Sequence, residues 1–201
     1  MNLPSIMEAE VAGKTVLLRA DLNVPIVSGE VSDRTRVAAA ARTIEDLLSR
    51  GARVVVMAHL DRPKGVANPV LSIQPVARAL AEELKHEVQF VPDCVGAVAE
   101  RQTRSLPEGA VALLENLRFH AEEELDDRSF ALMLSVHGDL YVNDAPACSV
   151  RRHASIDAIV PLMPAYAGPL LLAHVAKEGD AASTLPGVAA LMNKTRILEK
   201  I

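Results

Sequence analysis

Tryptophan is missing from this 201-residue sequence, and aromatic residues are scarce, with two tyrosines and three phenylalanines. Half of the residues are hydrophobic, so the core has to be aliphatic, built from Ala, Val and Leu. Cysteine is nearly absent as well: Cys94 and Cys148 form neither a metal-ligand spacing nor a disulfide framework. A net charge of −5 argues against a general nucleic-acid surface. No apolar run is long enough to span a bilayer. The N-terminus lacks the basic start and apolar core of a signal peptide. A cytoplasmic protein with no nucleic-acid and no membrane partner is therefore expected. Neither G-x-x-x-x-G-K-[ST] nor G-x-G-x-x-G occurs, which excludes the two commonest glycine-rich phosphate cradles.

What is present is organised around residues 17–25. An apolar run, Thr15 to Leu18, ends abruptly in Arg19-Ala20-Asp21-Leu22-Asn23-Val24-Pro25. A buried strand whose carboxyl end emerges into a working loop has this pattern, and ligand crevices of open parallel sheets lie outside such ends. Asp21 and Asn23 are two apart and share a side of an extended chain, so they suit a hydroxyl group. The same residues also fit an ordinary strand exit with turn-forming Asp and Asn.

Downstream, strands and helices alternate. Ser32-Asp33 can cap a helix running to about Arg50, with Val37, Ala40, Ala41, Ile44, Leu47 and Leu48 at helical spacing. Residues 52–60 are a continuous apolar run, as in a strand covered on both faces. Ile73–Lys85 reads as a helix, Val88–Val91 as a strand, Cys94–Arg104 as a weaker helix and Ala110–Leu114 as a strand. The acidic run 122–127 reads as the solvated start of a helix reaching His137. Leu140–Asn143 reads as a fifth strand, Pro169–Ala176 as a helix and Lys177–Leu185 as a polar linker. Gly187–Met192 could be a sixth strand, followed by an unfinished helix from Lys194. This alternation implies right-handed βαβ units and a parallel sheet in one large α/β domain or two small ones.

Basic groups recur just after these strands, although the protein is acidic overall. His59, Arg62 and Lys64 follow the second, Arg118 and His120 the fourth, and Arg151, Arg152 and His153 the fifth. Arg36 lies in the first turn of its helix, where the macrodipole makes a cation cost about 0.3–1 kcal/mol. A cation tolerated there suggests a nearby anion, and the set points to a small, multiply charged one such as a phosphorylated acid. His59, His120, His153 and Cys148 could also gather around a metal, but no pair has ligand spacing. Cys148 as a nucleophile would need His153 as its base.

Six segments occur in order: V-L-L-R-A-D-L-N-V-P (16–25), D-R-T-R (33–36), H-L-D-R-P-K-G (59–65), L-L-E-N-L-R-F-H (113–120), Y-V-N-D-A (141–145) and R-R-H-A-S (151–155). Together they resemble phosphoglycerate kinase, specifically its N-terminal, substrate-binding half, densely from Lys14 to Gly168. The resemblance implies a three-layer α/β/α domain with a six-stranded parallel, Rossmann-like sheet. It implies that His59, Arg62, Arg118 and Arg151 hold the phosphate of 3-phosphoglycerate and that Asp21 and Asn23 bind its hydroxyl region. Arg36 would be the catalytic residue, at the reacting carboxylate, stabilising charge during phosphoryl transfer.

The sequence departs from the family in three places. The family's H-L-G-R-P has Asp61 in place of its Gly. The loop D-A-F-G-T-A-H-R-A-H-A-S reads here D-A-P-A-C-S-V-R-R-H-A-S, placing Pro146, Ala147 and Val150 at family Phe, Gly and His positions. The third concerns the nucleotide half, whose G-G-A-K-V-S segment is expected after Met192 and is missing; Asn193-Lys194-Thr195-Arg196 follows instead. The expectation is therefore a substrate domain over residues 1–170, with 171–201 as linker and the start of the missing domain. Leu191, Met192, Ile197 and Leu198 are expected to be exposed on a poorly anchored tail. No cofactor is expected to bind this chain alone; Mg-ATP or ADP would come through a separate nucleotide-binding chain as partner. The rival readings are a non-catalytic sensor of phosphorylated acids and a decayed, truncated kinase.

Overall fold

The computed structural model describes residues 3–198, with side chains as far as Thr195. The chain begins its sheet with β1 (Thr15–Ala20), makes a small hairpin, β2 (Ile26–Val27) and β3 (Glu30–Val31), and enters α1 (Thr35–Ser49). Then come β4 (Arg53–Met57), α2 (Gln74–Leu84), β5 (Val88–Val91), α3 (Gly96–Arg104) and β6 (Val111–Leu114). The second half adds α4 (Ala121–Glu124), α5 (Arg128–Ser135), β7 (Leu140–Asp144), β8 (Ala165–Ala167), α6 (Pro169–Glu178) and α7 (Pro186–Leu198).

Six strands pair in parallel in the order β5-β6-β4-β1-β7-β8. Alternate residues of each strand enter opposite cores, because successive Cβ atoms point to opposite faces. Val16, Leu18, Val54, Val56, Leu113 and Val142 pack against Ile44 and Leu47 of α1 and Val76 and Leu80 of α2. Leu17, Val55, Met57, Leu114 and Tyr141 face Phe130 and Leu134 of α5, Leu171 of α6, and Val188 and Leu191 of α7. The fold is therefore a three-layer α/β/α sandwich around a six-stranded parallel sheet. Strand order reverses around β1, which has β4 on one side and β7 on the other. Ligands of open α/β sheets bind at such a switch point, outside the carboxyl ends of the strands.

Several sequence expectations are corrected. The sixth strand is β8, three residues between Pro164 and Gly168, paired with Tyr141–Asn143 of β7. Residues 187–192 are helical, within α7. An apolar run of that length is ambiguous between strand and helix, and Pro186 at the first helical position was the deciding signal. Leu191 is fully buried, and the Lys194 ammonium donates to the carbonyls of Val160, at 2.7 Å, and Met163. This segment is thus tied to the sheet; the side chains of Ile197 and Leu198 lie outside the described residues. The linker 177–185 is mostly a 3₁₀ turn, Gly179–Thr184.

The acidic run does not start one long helix. Asp126, at φ 55°, breaks it into α4 and α5, and Asp127 caps α5 by accepting from the Phe130 N–H at 2.8 Å. Glu123 is fully buried rather than solvated. At α1 the cap position is held by Arg34, while Asp33 Oδ1 accepts from the Thr35 N–H at 2.9 Å. No helix of the described residues is long and apolar enough to cross a membrane.

Candidate functional site

The loops that follow β1, β4, β6 and β7 supply the predicted residues. Asp21 and Asn23 leave β1 and are joined to α1 by Arg36, whose Nη1 donates to Asp21 Oδ1 at 3.0 Å and to the Asn23 carbonyl at 2.8 Å. Part of the anion that Arg36 demanded is thus Asp21 itself. The guanidinium is still half-exposed, and its Nη2 and Nε have no partner among the described residues. Asn23 Oδ1 accepts from the Asp61 N–H at 2.9 Å, linking the β1 loop to the β4 loop.

Asp61 lies at φ 53°, the left-handed conformation that the family glycine would adopt freely. Asp is one of the few residues that tolerate it, since its short side chain is compatible with that region. The Asp61 carbonyl accepts from Arg118 Nη1 at 2.8 Å. Arg118 is almost wholly buried. Its Nε stands 3.5 Å from Glu124 Oε1 but has no hydrogen-bond partner. Burial pushes the Arg118 pKa down; Glu124 opposes this, while Arg19 and Arg151 push the same way. An incoming anion would relieve that crowding. Arg62 and Arg151 are exposed, and neither side chain has a partner among the described residues. Arg152 turns instead toward Asp157, 3.7 Å away.

His59 is buried, and its pKa is lowered to about 2 by burial first, then by Arg19, Arg118, His153 and Arg151. At neutral pH it is an uncharged hydrogen-bonding ring. His153, also buried, is lowered to about 4 by burial and by Arg118 and Arg19, although Glu123 Oε1 stands 3.8 Å away. Cys148 Sγ lies 3.9 Å from His59 Nδ1, and burial pushes its thiol pKa up, which argues against a reactive thiolate. The imagined metal group of His59, His120, His153 and Cys148 does not assemble. Asp93, Cys94 and His120 instead bring donor atoms within 4.8 Å of one another, and His120 Nε2 closes on Asp93 Oδ1 at 2.8 Å.

Four buried polar positions that hold the loops of the candidate site escaped the sequence reading. Arg19, next to the carboxyl end of β1, is fully buried and hydrogen-bonds Ser155 Oγ, the Ala20 carbonyl and His59 Nδ1. An arginine inside an apolar strand is itself a signal, because a buried charge needs partners. Asn116 Oδ1 accepts from the Leu60 and Arg118 N–H groups, and its Nδ2 donates to the carbonyls of Leu60 and Leu71. Glu115 Oε1 accepts from the Ile73 and Asn116 N–H groups. Glu123 carries Ser155. These buried groups fix the loops that present His59, Asp61 and Arg118.

A cleft of about 580 Å³ opens on Asn23 and Asp61 and runs past Leu71 to Pro75, but contains none of the arginines. The concentration of charge, not the hollow, marks the site. Its donors are arginine and imidazole N–H groups, which suit phosphate and carboxylate oxygens.

The same arrangement of loops has known counterparts. A family model for phosphoglycerate kinase matches residues 6–190. The chain belongs to the phosphoglycerate kinase family. The phosphoglycerate kinase of Caulobacter vibrioides is 48% identical over 168 residues, covering 84% of this chain and 42% of that protein. That of Bartonella quintana is 41% identical over 202 residues, covering 100% of this chain and 51% of that one. Among solved structures, the phosphoglycerate kinase of Coxiella burnetii superposes with a TM-score of 0.79 at 30% identity, over 90% of this chain and 45% of the other. Phosphoglycerate kinase from Pyrococcus horikoshii gives 0.78 at 30% identity, over 87% and 44%. The chain thus spans about half the length of the phosphoglycerate kinases it matches.

Proposed function

We propose that this chain carries the 3-phosphoglycerate-binding half of a phosphoglycerate kinase, with the reaction ATP + 3-phosphoglycerate to ADP + 1,3-bisphosphoglycerate. The observation that carries the reading is the neutral His59 with Arg118 and Arg151 close enough to depress its pKa, while Arg118 holds the carbonyl of Asp61, the residue before Arg62, and Asn23 ties that loop to the Asp21–Arg36 pair. In this reading Arg62, Arg118, Arg151 and His59 hold the phosphate, and Asp21 and Asn23 the hydroxyl region. The free edge of the Arg36 guanidinium meets the reacting carboxylate and offsets charge in the transition state. Residues 1–170 act as the substrate domain, and 171–201 lead toward the nucleotide half while α6 and α7 rest on the sheet.

The donor-rich site does not fit Mg²⁺, which requires several oxygen ligands in near-octahedral array. Mg-ATP is therefore assigned to a second half of the enzyme. Calorimetric titration with 3-phosphoglycerate tests the reading. Binding should weaken as salt rises, and Arg62→Ala and Arg118→Ala should each remove most of it. If both variants bind like the parent, the acid sits elsewhere. Binding that persists while no nucleotide half restores turnover would favour a sensor of phosphorylated acids instead.

A further inference from the structure

A buried line of hydrogen bonds runs from Glu123 through Ser155 to Arg19, whose N–H groups can only donate. Glu123 Oε2 accepts from the Ser155 N–H at 2.9 Å, and Glu123 Oε1 accepts from the Ser155 hydroxyl at 2.6 Å. With its proton committed to Glu123, Ser155 Oγ accepts from Arg19 Nε at 2.9 Å. Arg19 Nη1 is held by its own neighbour, the Ala20 carbonyl, at 2.6 Å, and Nη2 stands 3.0 Å from His59 Nδ1. Glu123, Ser155, Arg19 and His59 are all buried.

A guanidinium has five N–H donors and no acceptor. His59 Nδ1 must therefore be the acceptor, and the ring's single proton sits on Nε2. Cys148 Sγ, 3.9 Å from the same nitrogen, can only add a second weak donor and leaves this assignment unchanged. Nε2 has no protein partner among the described residues, yet it is not sealed from solvent.

We propose that Glu123, Ser155 and Arg19 are positioning residues that lock His59 as the Nε2–H tautomer, presenting one neutral N–H donor to the substrate phosphate. This rests on the 3-phosphoglycerate reading for the identity of the acceptor, but not for the tautomer. The arrangement has a physical purpose. Arg62, Arg118 and Arg151 supply charge that attracts many anions, whereas a fixed N–H on a rigid ring adds a direction. A ring free to flip or change tautomer would at times present a lone pair to the phosphate, and two acceptors would then repel.

Nitrogen-15 histidine spectra of the full chain without ligand, at neutral pH, test the lock, with His59→Gln identifying the signal. The expected pattern is a protonated Nε2 and an unprotonated Nδ1. In Ser155→Ala, which cuts the line at its hydroxyl, the His59 signals should move toward a tautomer mixture. The affinity for 3-phosphoglycerate should fall about tenfold, the effect of losing one charge-assisted bond. Glu123→Gln should fall between the two, because its amide oxygen can still accept from Ser155. An imidazolium or an Nδ1–H tautomer in the parent protein would overturn the proposal, and that spectrum decides even if Ser155→Ala fails to fold. A folded Ser155→Ala with the parent's tautomer pattern would overturn it too. If the parent shows Nε2–H and Ser155→Ala disturbs it, yet 3-phosphoglycerate binds neither, the binding reading fails while the lock stands.

Discussion

Asp61 stands at φ 53° with both backbone polar groups in use, its N–H on Asn23 and its carbonyl on Arg118. Asp61→Gly keeps both bonds, relieves the left-handed strain and removes a negative charge beside the cation cluster. Glycine's greater unfolded-state freedom offsets part of the gain, at about 0.5–1 kcal/mol. Stability should therefore change little, while affinity for 3-phosphoglycerate rises; lower affinity by calorimetry would show that Asp61 itself contacts the ligand. His153 gives a second test at this scale. Its pKa is near 6.5 when unfolded and about 4 when folded. Between those values the unfolded chain binds a proton there that the folded chain does not. The stability from neutral His153 is complete above about pH 6.5 and is lost as pH falls toward 4, at about 1.4 kcal/mol per pH unit. Buried acids such as Glu123 and Asp144 are shifted upward and work in the opposite sense, so the difference between variants is the useful quantity. Urea unfolding should show a pH slope shallower by about one proton in His153→Gln; equal slopes would mean that His153 is charged in the fold. The placement of Asp21, Asn23, Arg62, Arg118 and Arg151 in loops after strands was legible because polar groups just after apolar runs mark strand ends. Arg19 and Glu123 were not, because their meaning lies in partners 136 and 32 residues away in sequence.

Elements show the same division. The central strands and α1 and α2 were readable, since runs such as Val54–Met57 and the spacing of Val37, Ile44 and Leu47 carry their own period. β8 was not: three residues have no period to recognise, and only pairing with β7 makes them a strand. α7 was misread because a helix buried on one side and a fully buried strand share an apolar run. Its attachment now makes a prediction about the altered loop that follows β7. The Gly187 N–H donates to the Ser149 carbonyl at 3.0 Å. A Cβ on Gly187 would come within 2.9 Å of Ile156 Cγ2 and Ser149 Oγ and within 3.0 Å of Asn143 Nδ2, all on buried side chains with nowhere to retreat. Gly187→Ala should thus destabilise by about 1–3 kcal/mol, as overpacking does. It should also weaken 3-phosphoglycerate binding, because the displaced loop carries Arg151. Amide exchange should find residues 188–195 protected in the parent and less so in the variant. Unchanged binding in a destabilised variant would separate α7 from the site.

At the scale of the molecule, the proposed reading gives the described residues the acceptor side and assigns Mg-ATP to a second half of the enzyme. Phosphoryl transfer requires the donor phosphate, its Mg²⁺ and the acceptor carboxylate in line, with the developing charge neutralised. In that reading Arg36 neutralises charge on the carboxylate, yet it cannot by itself position a nucleotide. Positioning is worth roughly 7–11 kcal/mol in favourable cases, while removing one oxyanion-type donor costs about 2.7–4 kcal/mol. In the proposed reading the larger of these comes from the nucleotide half, so residues 1–201 assayed by themselves go without it. No ATP-dependent formation of 1,3-bisphosphoglycerate is expected from it, and turnover should appear when a phosphoglycerate kinase nucleotide half is added in trans. Rescued turnover should then fall in Arg36→Ala, through kcat rather than KM, because the guanidinium acts on charge that develops during transfer. A coupled assay with and without the second half decides the matter. Turnover by the chain alone, abolished by Arg36→Ala, would mean that a nucleotide binds within these residues after all.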